Sequence, residues 1–254
     1  MTRVALAGAH GFIGSAARRA ITAAGHDVIP LARGETAPCD VLVWAAGRRE
    51  ADFAANRAVH VDAPVAAARS AARVIYLSTG ECYGDAPLPY REDGPCLGTS
   101  DYARAKLEGE RALADVAPTT ILRIGVGYGP GQAPRLMIPQ VVAALRAGQP
   151  IALTEGTQTR DFVFVDDIAE AIVAAIDVGT APAVINIGSG IEITIREAAR
   201  IIARALGAPE SLLGFGQIPM RQNEAMRYVL DVTRAAEVLG WKARTSFADG
   251  TARL

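Results

Sequence analysis

The sequence predicts an α/β fold, a doubly wound parallel sheet carrying a smaller α+β lobe, and three observations predict it. A short apolar run, Val4-Ala-Leu-Ala7, ends in a glycine-rich turn and passes into an amphipathic helical pattern. Apolar strand-like runs then alternate with helical patterns as far as Val126, the order that builds a parallel sheet. After about residue 131 the pattern becomes α+β. Residues 1–131 are therefore read as one domain. Residues 132–254 are read as mainly a second lobe, with a segment of about 160–176 returning to the first.

In chain order, Gly8-Ala-His-Gly11-Phe12-Ile13-Gly14 follows the first strand, and Ile13, Ala16, Ala17, Ala20, Ile21 and Ala24 share one helix face that Gly25 closes. Glycines let a backbone approach a pyrophosphate, and the helix N-terminus presents N–H groups and a positive dipole end. Gly8, Gly11, Phe12, Ile13 and Gly14 are thus candidate nucleotide-binding residues. The plainer alternative is a tight βα turn with no ligand. His26–Arg33 reads as the second strand. An acidic residue at its end would bond the adenosine ribose of NAD, whereas Arg accommodates the 2′-phosphate of NADP. Ala32 and Arg33 stand there, with no carboxylate before Glu35, so the expectation is NADP with Arg33 as its contact.

Residues 34–40 leave no room for a crossover helix, so one βα unit is reduced or missing. Val41–Gly47 is a strand whose small end residues, Ala45, Ala46 and Gly47, suit the side of a bound cofactor. His60–Ala72 reads as a helix, and His60 is assigned no chemistry. Arg73–Thr79 is a strand. Ser78, Thr79 and Glu81 stand at its C-terminal end, where open α/β sheets bind ligands.

Residues 99–111 follow, rich in helix formers, with Tyr102 and Lys106 four apart and hence on one helix face. A nearby cation would bring a phenol's pKa down toward working pH, so the pair has the chemistry of a proton-transfer site. Only Lys106 and Lys242 are lysine among 26 basic residues, which makes a chance lysine here improbable by composition. A compact ammonium can also reach a ribose hydroxyl and a phenol together. Thr120–Val126 is the next strand and residues 127–132 a loop. Then come a helix at 139–148, a strand at 160–165, and a helix to Ile176 with Asp166 or Asp167 as N-cap. A strand starts at Val184. The capping box Thr194-x-x-Glu197 opens a helix to about Leu206, and a last helix spans 231–240.

The net charge of −1 argues against a nucleic-acid partner, and no stretch is apolar enough to cross a membrane. Three cysteines with no metal-ligand spacing predict reduced thiols, no metal and a cytoplasmic home. The N-terminal stretch is broken by Gly8 and His10, unlike a signal peptide.

Taken in order, Gly8-x-x-Gly11-Phe-Ile-Gly14, Leu77-Ser-Thr-Gly-Glu-Cys-Tyr-Gly84, Tyr102-x-x-x-Lys106, Tyr128-Gly-Pro130, Gly156-Thr-Gln-Thr-Arg160-Asp-Phe-Val-Phe-Val-Asp-Asp167 and Asn186-Ile-Gly-Ser-Gly190 resemble the extended short-chain dehydrogenase/reductases, in particular those acting on nucleotide sugars. The resemblance implies a Rossmann fold and NADP(H) as cofactor. It implies Tyr102 as catalytic acid/base, Lys106 on the nicotinamide ribose and Thr79 as the hydroxyl partner; Glu81, from its place at the strand end, reads equally as an acid/base and as a loop carboxylate. It places Arg160 and Arg221 on the diphosphate of a nucleotide-sugar substrate, and a homodimer stays open. Two departures stand out: Val126 replaces an expected asparagine, and Gly80 replaces the polar residue that the dehydratases of the group carry before the glutamate. The favoured reaction is reduction of a keto group on a nucleotide-activated deoxysugar. A 4-epimerase, a 4,6-dehydratase and, more distantly, a non-catalytic NADP sensor are the alternatives.

Overall fold

The computed structural model describes residues 1–179, 184–222 and 224–254. β1 (Arg3–Ala7) is buried from Val4 onward and leads through the glycine turn into α1 (Phe12–Ala23). The buried face of α1 is Gly14, Ala16, Ala17 and Ile21, small enough for close packing. β2 (Asp27–Leu31) and β3 (Cys39–Trp44) both pair in parallel with β1, one on each side. No helix lies between them, as the short link requires. β2 is the sheet edge, the place where Pro30 can sit without costing a ladder bond.

The helical stretch that follows differs from expectation. It starts earlier, as α2 (Phe53–Arg57), passes through a π-helical turn at Ala58–Asp62 and ends as α3 (Ala63–Ala68). Asp52 caps α2 by accepting from Ala55 N at 2.8 Å. Ala71 and Ala72 leave the helix because Ala71 pairs with Cys39 at the start of β4 (Ala71–Thr79). α4 (Asp101–Ala114) carries the Tyr102–Lys106 pair, and its cap Ser100 accepts from Ala103 N. The strand expected at 120–126 is two strands, β5 (Thr119–Ile124) and β6 (Val126–Tyr128). They part at Gly125, whose N–H bonds Ile187 O at 2.8 Å.

α5 (Met137–Arg146), β7 (Ile151–Leu153) and β8 (Thr159–Phe164) lead to α6 (Val165–Asp177), which packs on α1. Neither Asp166 nor Asp167 caps α6; the cap position is Phe164, and both aspartates stand in the first turn. Asp167 is instead buried and accepts from Thr245 N and Oγ1 at 2.9 and 3.1 Å, pinning the C-terminal segment. β9 (Val184–Ile187) joins the large sheet. β10 (Glu192–Thr194), α7 (Ile195–Ala205), β11 (Leu213–Phe215), α8 (Thr233–Leu239) and α9 (Phe247–Thr251) complete the described elements. Thr194 caps α7 through Glu197 N, as its capping box predicts.

The large sheet has the order β2-β1-β3-β4-β5-β9, and every pairing in it is parallel. Two small sheets, β10-β8-β6 and β11-β7, belong to the second half. One core lies between the large sheet and α1, α6 and α8, with Leu6, Ile75, Leu122, Ile168 and Ile172 fully buried. A second core gathers Tyr128, Phe162, Phe164 and Phe247 with the apolar faces of α5 and α7. Strand order reverses between β1 and β3, so the crevice of the large sheet opens above their C-terminal ends.

Candidate active site

Gly8 stands at that reversal with φ +80°, a conformation only glycine adopts without strain. Its neighbour across the crevice is the end of β3: a Cβ on Gly8 would lie 2.6 Å from Ala46 N. A Cβ on Gly14 would lie 2.0 Å from Gly8 O, so α1 meets the turn through bare backbone. Gly11 occupies the N-cap of α1 and no side chain caps it, which leaves first-turn N–H groups for an anion. This cradle, with Ala45, Ala46 and Gly47 on its far wall, fits a dinucleotide pyrophosphate. Arg33 is exposed just beyond β2. Glu35, the first carboxylate after that strand, accepts from Ala32 N at 2.8 Å. A cation and an anion therefore both stand at the β2 end, where a 2′-phosphate and a 2′-hydroxyl are told apart.

The proton-transfer pair lies between β4 and α4. Lys106 is buried and donates to Leu77 O at 2.7 Å. Its Nζ is 4.7 Å from the Tyr76 ring centroid and 5.9 Å from that of Tyr102. Burial takes the Lys106 pKa down from 10.5 to about 8. The expected lowering of the Tyr102 phenol does not occur. Burial, then the Glu81 carboxylate, push its pKa up, against the opposing charge of Arg49. Lys106 spends its closest contact on a carbonyl of β4, and what meets Tyr102 instead is a carboxylate. The phenol is thus held protonated, as a donor.

Thr79 ends β4 and caps the turn at 80–83, its Oγ1 accepting from Glu81 N at 3.2 Å. Glu81 is not a free base. Arg49 bonds one of its oxygens and Ser100 Oγ donates to the other at 2.5 Å. The Arg49 guanidinium also lies 4.7 Å above the Tyr102 ring. The loop carrying Arg49 is anchored by buried Asn56, which exchanges hydrogen bonds with Glu50 N and O, each at 3.1 Å. Sequence reading missed Arg49; the adjacent Arg48-Arg49 after Gly47 was its one signal.

It also missed Tyr228, which comes from the segment before α8. A Cβ on Gly80 would lie 2.0 Å from Tyr228 Oη. A phenol from the second half thus fills the space that a side chain at 80 would take. Burial pushes the Tyr228 pKa well up, keeping it protonated.

Beneath the site, Arg123 and Glu110 form a buried bidentate pair at 3.0 and 2.7 Å, and Ser78 Oγ donates to Glu110 at 2.5 Å. Ser78 is thereby a support for α4 against β4 and β5. Arg123 also lies 4.9 Å over the Tyr83 ring, whose hydroxyl donates to Asn186 Oδ1 at 2.7 Å.

The two arginines expected at a diphosphate sit on neighbouring segments. Arg160, on β8, donates to Ala225 O at 2.8 Å and pairs with Glu224. It does not pair with Asp161, its neighbour in sequence. Asp161 turns inward to accept from Ser189 N and Oγ, Gly190 N and Leu230 N. Arg221 lies three residues before Glu224, exposed, and its side chain has no hydrogen bond among the described residues. Those residues hold no His/Cys/Asp/Glu cluster fit for a metal, and no helix among them is long and apolar enough to cross a membrane.

A parallel sheet with a glycine cradle at its reversal and a Tyr-x-x-x-Lys pair beside it defines a Rossmann protein of the extended short-chain dehydrogenase/reductase type. Residues 43–188 match the model of the NAD dependent epimerase/dehydratase family, and the chain belongs to that family. It is 37% identical over 193 residues to the UDP-glucose 4-epimerase of Mycolicibacterium smegmatis, a match covering 71% of this chain and 60% of that protein. Its identity to the dTDP-6-deoxy-L-talose 4-dehydrogenase (NAD(P)(+)) of Kitasatospora kifunensis is 28% over 299 residues, 99% of this chain and 94% of the relative. Among solved structures, MoeE5 in complex with UDP-glucuronic acid and NAD superposes with a TM-score of 0.87 at 25% identity, covering 99% and 97% of the two chains. The chain spans about three fifths of the length of the first curated relatives it matches.

Proposed function

We propose that the protein reduces a keto group on a nucleotide-activated deoxysugar with NADPH. One observation carries this choice within the family: the site offers a protonated phenol and no free base. Tyr102 is held in its donor form, while Glu81 is engaged by both Arg49 and Ser100. Bound NADPH would supply the hydride. Tyr102 then gives its proton to the carbonyl oxygen, and Thr79 orients that oxygen through the proton its hydroxyl keeps. Lys106 stays buried beside the pair, and its ammonium charge stabilises the phenolate as it forms. An elimination would need Glu81 to leave two partners first.

Residues 1–131 form the cofactor-binding part in this reading, and Arg160 and Arg221 take the substrate diphosphate from the second half. Arg33 selects NADPH, with Glu35 as the residue that keeps some NADH binding. Ala32→Asp with Arg33→Ala should weaken or reverse the preference in kcat/KM. The unpaired Cys39, Cys82 and Cys96 fit a cytoplasmic home.

The deciding assay feeds an unmodified sugar nucleotide and, separately, its 4-keto-6-deoxy form. Stoichiometric NADPH oxidation with the second supports reduction. Conversion of the first with no net NADPH use would make the protein an epimerase or dehydratase, the reading that the 37% identity to a 4-epimerase favours.

A further inference from the structure

The large sheet ends one strand early, at β2. A doubly wound dinucleotide site is built from two halves of three strands, one half for each nucleotide, in the order 3-2-1-4-5-6. Here the order starts β2-β1-β3, so β3 already belongs to the second half and the first keeps only β1 and β2. No strand lies outside β2 among the described residues. Residues 32–38 alone join β2 to β3, and all of them but Ala37 are exposed. Val28 of β2, which a helix after that strand would cover, lines an open groove with Arg18, Thr22 and Ala23 of α1.

The adenosine end of a dinucleotide is the part this affects. With the pyrophosphate on the glycine turn, the adenosine ribose belongs at the end of β2, and its base is one bond further on. In a full half the end of a third strand stands there. In this chain only the turn after β2 does, and that turn spends its backbone on itself. Glu35 N donates to Ala32 O at 3.1 Å, and Ala32 N donates to the Glu35 carboxylate at 2.8 Å. Gly34 takes φ +82°, the value that the third residue of a type II turn requires.

The group the turn presents outward is the exposed side chain of Arg33. A guanidinium carries donors only. It can hold a phosphate, but it cannot accept from the 6-amino group of adenine. Glu35, which could accept, is engaged with Ala32.

We propose that the protein recognises its dinucleotide by the phosphates and leaves the adenine base unread, open to solvent at the β2 edge. This rests on the reading of the glycine cradle as the dinucleotide site and of Arg33 as the 2′-phosphate contact, and not on which sugar reaction the protein performs.

The test changes the base and keeps the phosphates. Hypoxanthine replaces the 6-amino donor of adenine by a carbonyl acceptor and turns N1 from an acceptor into a donor. Dissociation constants for NADPH and its hypoxanthine analogue are measured by nicotinamide fluorescence, without sugar. The two should agree within about threefold. A site that bonds the adenine edge would bind the analogue roughly tenfold or more weakly, and any loss beyond threefold overturns the proposal. Arg33→Ala should weaken both dinucleotides alike, by roughly tenfold or more, and leave their ratio unchanged. A ratio that shifts in this variant would mean that Arg33 reads the base, which also overturns it.

A second measurement does not depend on affinity. The 1,N6-ethenoadenine analogue of NADP carries a fluorescent base, and that base should stay open to quenching by acrylamide while bound. A base shielded from the quencher would sit behind a wall that this sheet edge does not have, and the proposal would fall. If the protein binds neither NADPH nor NADH, the cofactor reading itself fails, and the proposal with it. A protein that binds both but reduces no sugar would fail only in the proposed reaction.

Discussion

Burying the Lys106 charge should cost the protein stability at neutral pH that it recovers as pH rises. The residue is 4% exposed, and burial lowers its pKa from 10.5 to about 8. The sign follows from proton counts. Between pH 8 and 10.5 the unfolded chain holds this proton more often than the folded one, so stability rises with pH across that window. Below pH 8 both states are protonated and the full cost is present. Two and a half pK units at about 1.4 kcal/mol each amount to about 3 kcal/mol. Lys106→Met removes that cost together with the bond to Leu77 O, whose net contribution is about 1.5–3 kcal/mol. The two offset each other at pH 7, so the variant should unfold near the parent there. As pH rises from 8 to 10.5 the parent should gain about 3 kcal/mol on the variant, or roughly 6–12 °C in Tm at about 2–4 °C per kcal/mol. Thermal unfolding of both proteins at half-unit pH steps reads the difference directly, and other titrating groups cancel in it. A Tm difference that stays flat from pH 7 to 10.5 would refute the claim that Lys106 is buried as a strained cation. The same titration predicts that kcat/KM of the parent falls as pH rises through about 8.

Tyr102→Phe should lower kcat by on the order of a hundredfold or more while dinucleotide affinity is kept, and near-normal turnover would remove Tyr102 from the chemistry. Glu110→Gln breaks the buried pair with Arg123 and should cost about 3–5 kcal/mol in denaturant unfolding. Replacing both partners by Met should recover most of that loss, and a double variant as unstable as the sum of the two singles would contradict the pairing argument. Arg221→Ala should raise KM for a sugar nucleotide by roughly ten- to a hundredfold with NADPH affinity unchanged, since a charge-assisted hydrogen bond contributes about 1.5–3 kcal/mol. An unchanged KM would count against a diphosphate substrate.

The features legible in the chain were those set by short-range geometry. The Gly8–Gly14 turn, the α4 face that joins Tyr102 to Lys106, the Thr194 cap of α7 and the missing unit between β2 and β3 all follow from spacing along one stretch. Periodicity, caps and crossover length are local constraints, so one strand of text carries them. Element boundaries were less legible where sheet pairing competed with propensity, as at Ala71 and Gly125.

The tertiary structure alone decided the electrostatics. Sequence places an ammonium four residues from a phenol and suggests that the phenol's pKa falls. The fold puts Glu81 beside that phenol, directs Lys106 to Leu77 and buries both, and the phenol's pKa rises. Arg49 and His60, from the connection between β3 and β4, and Tyr228, from the segment before α8, reach the site through contacts made across the fold. A pKa depends on burial and on neighbours in space. Sequence spacing specifies a neighbour in space only within a single helix or turn, and that is where this chain's chemistry could be read without its structure.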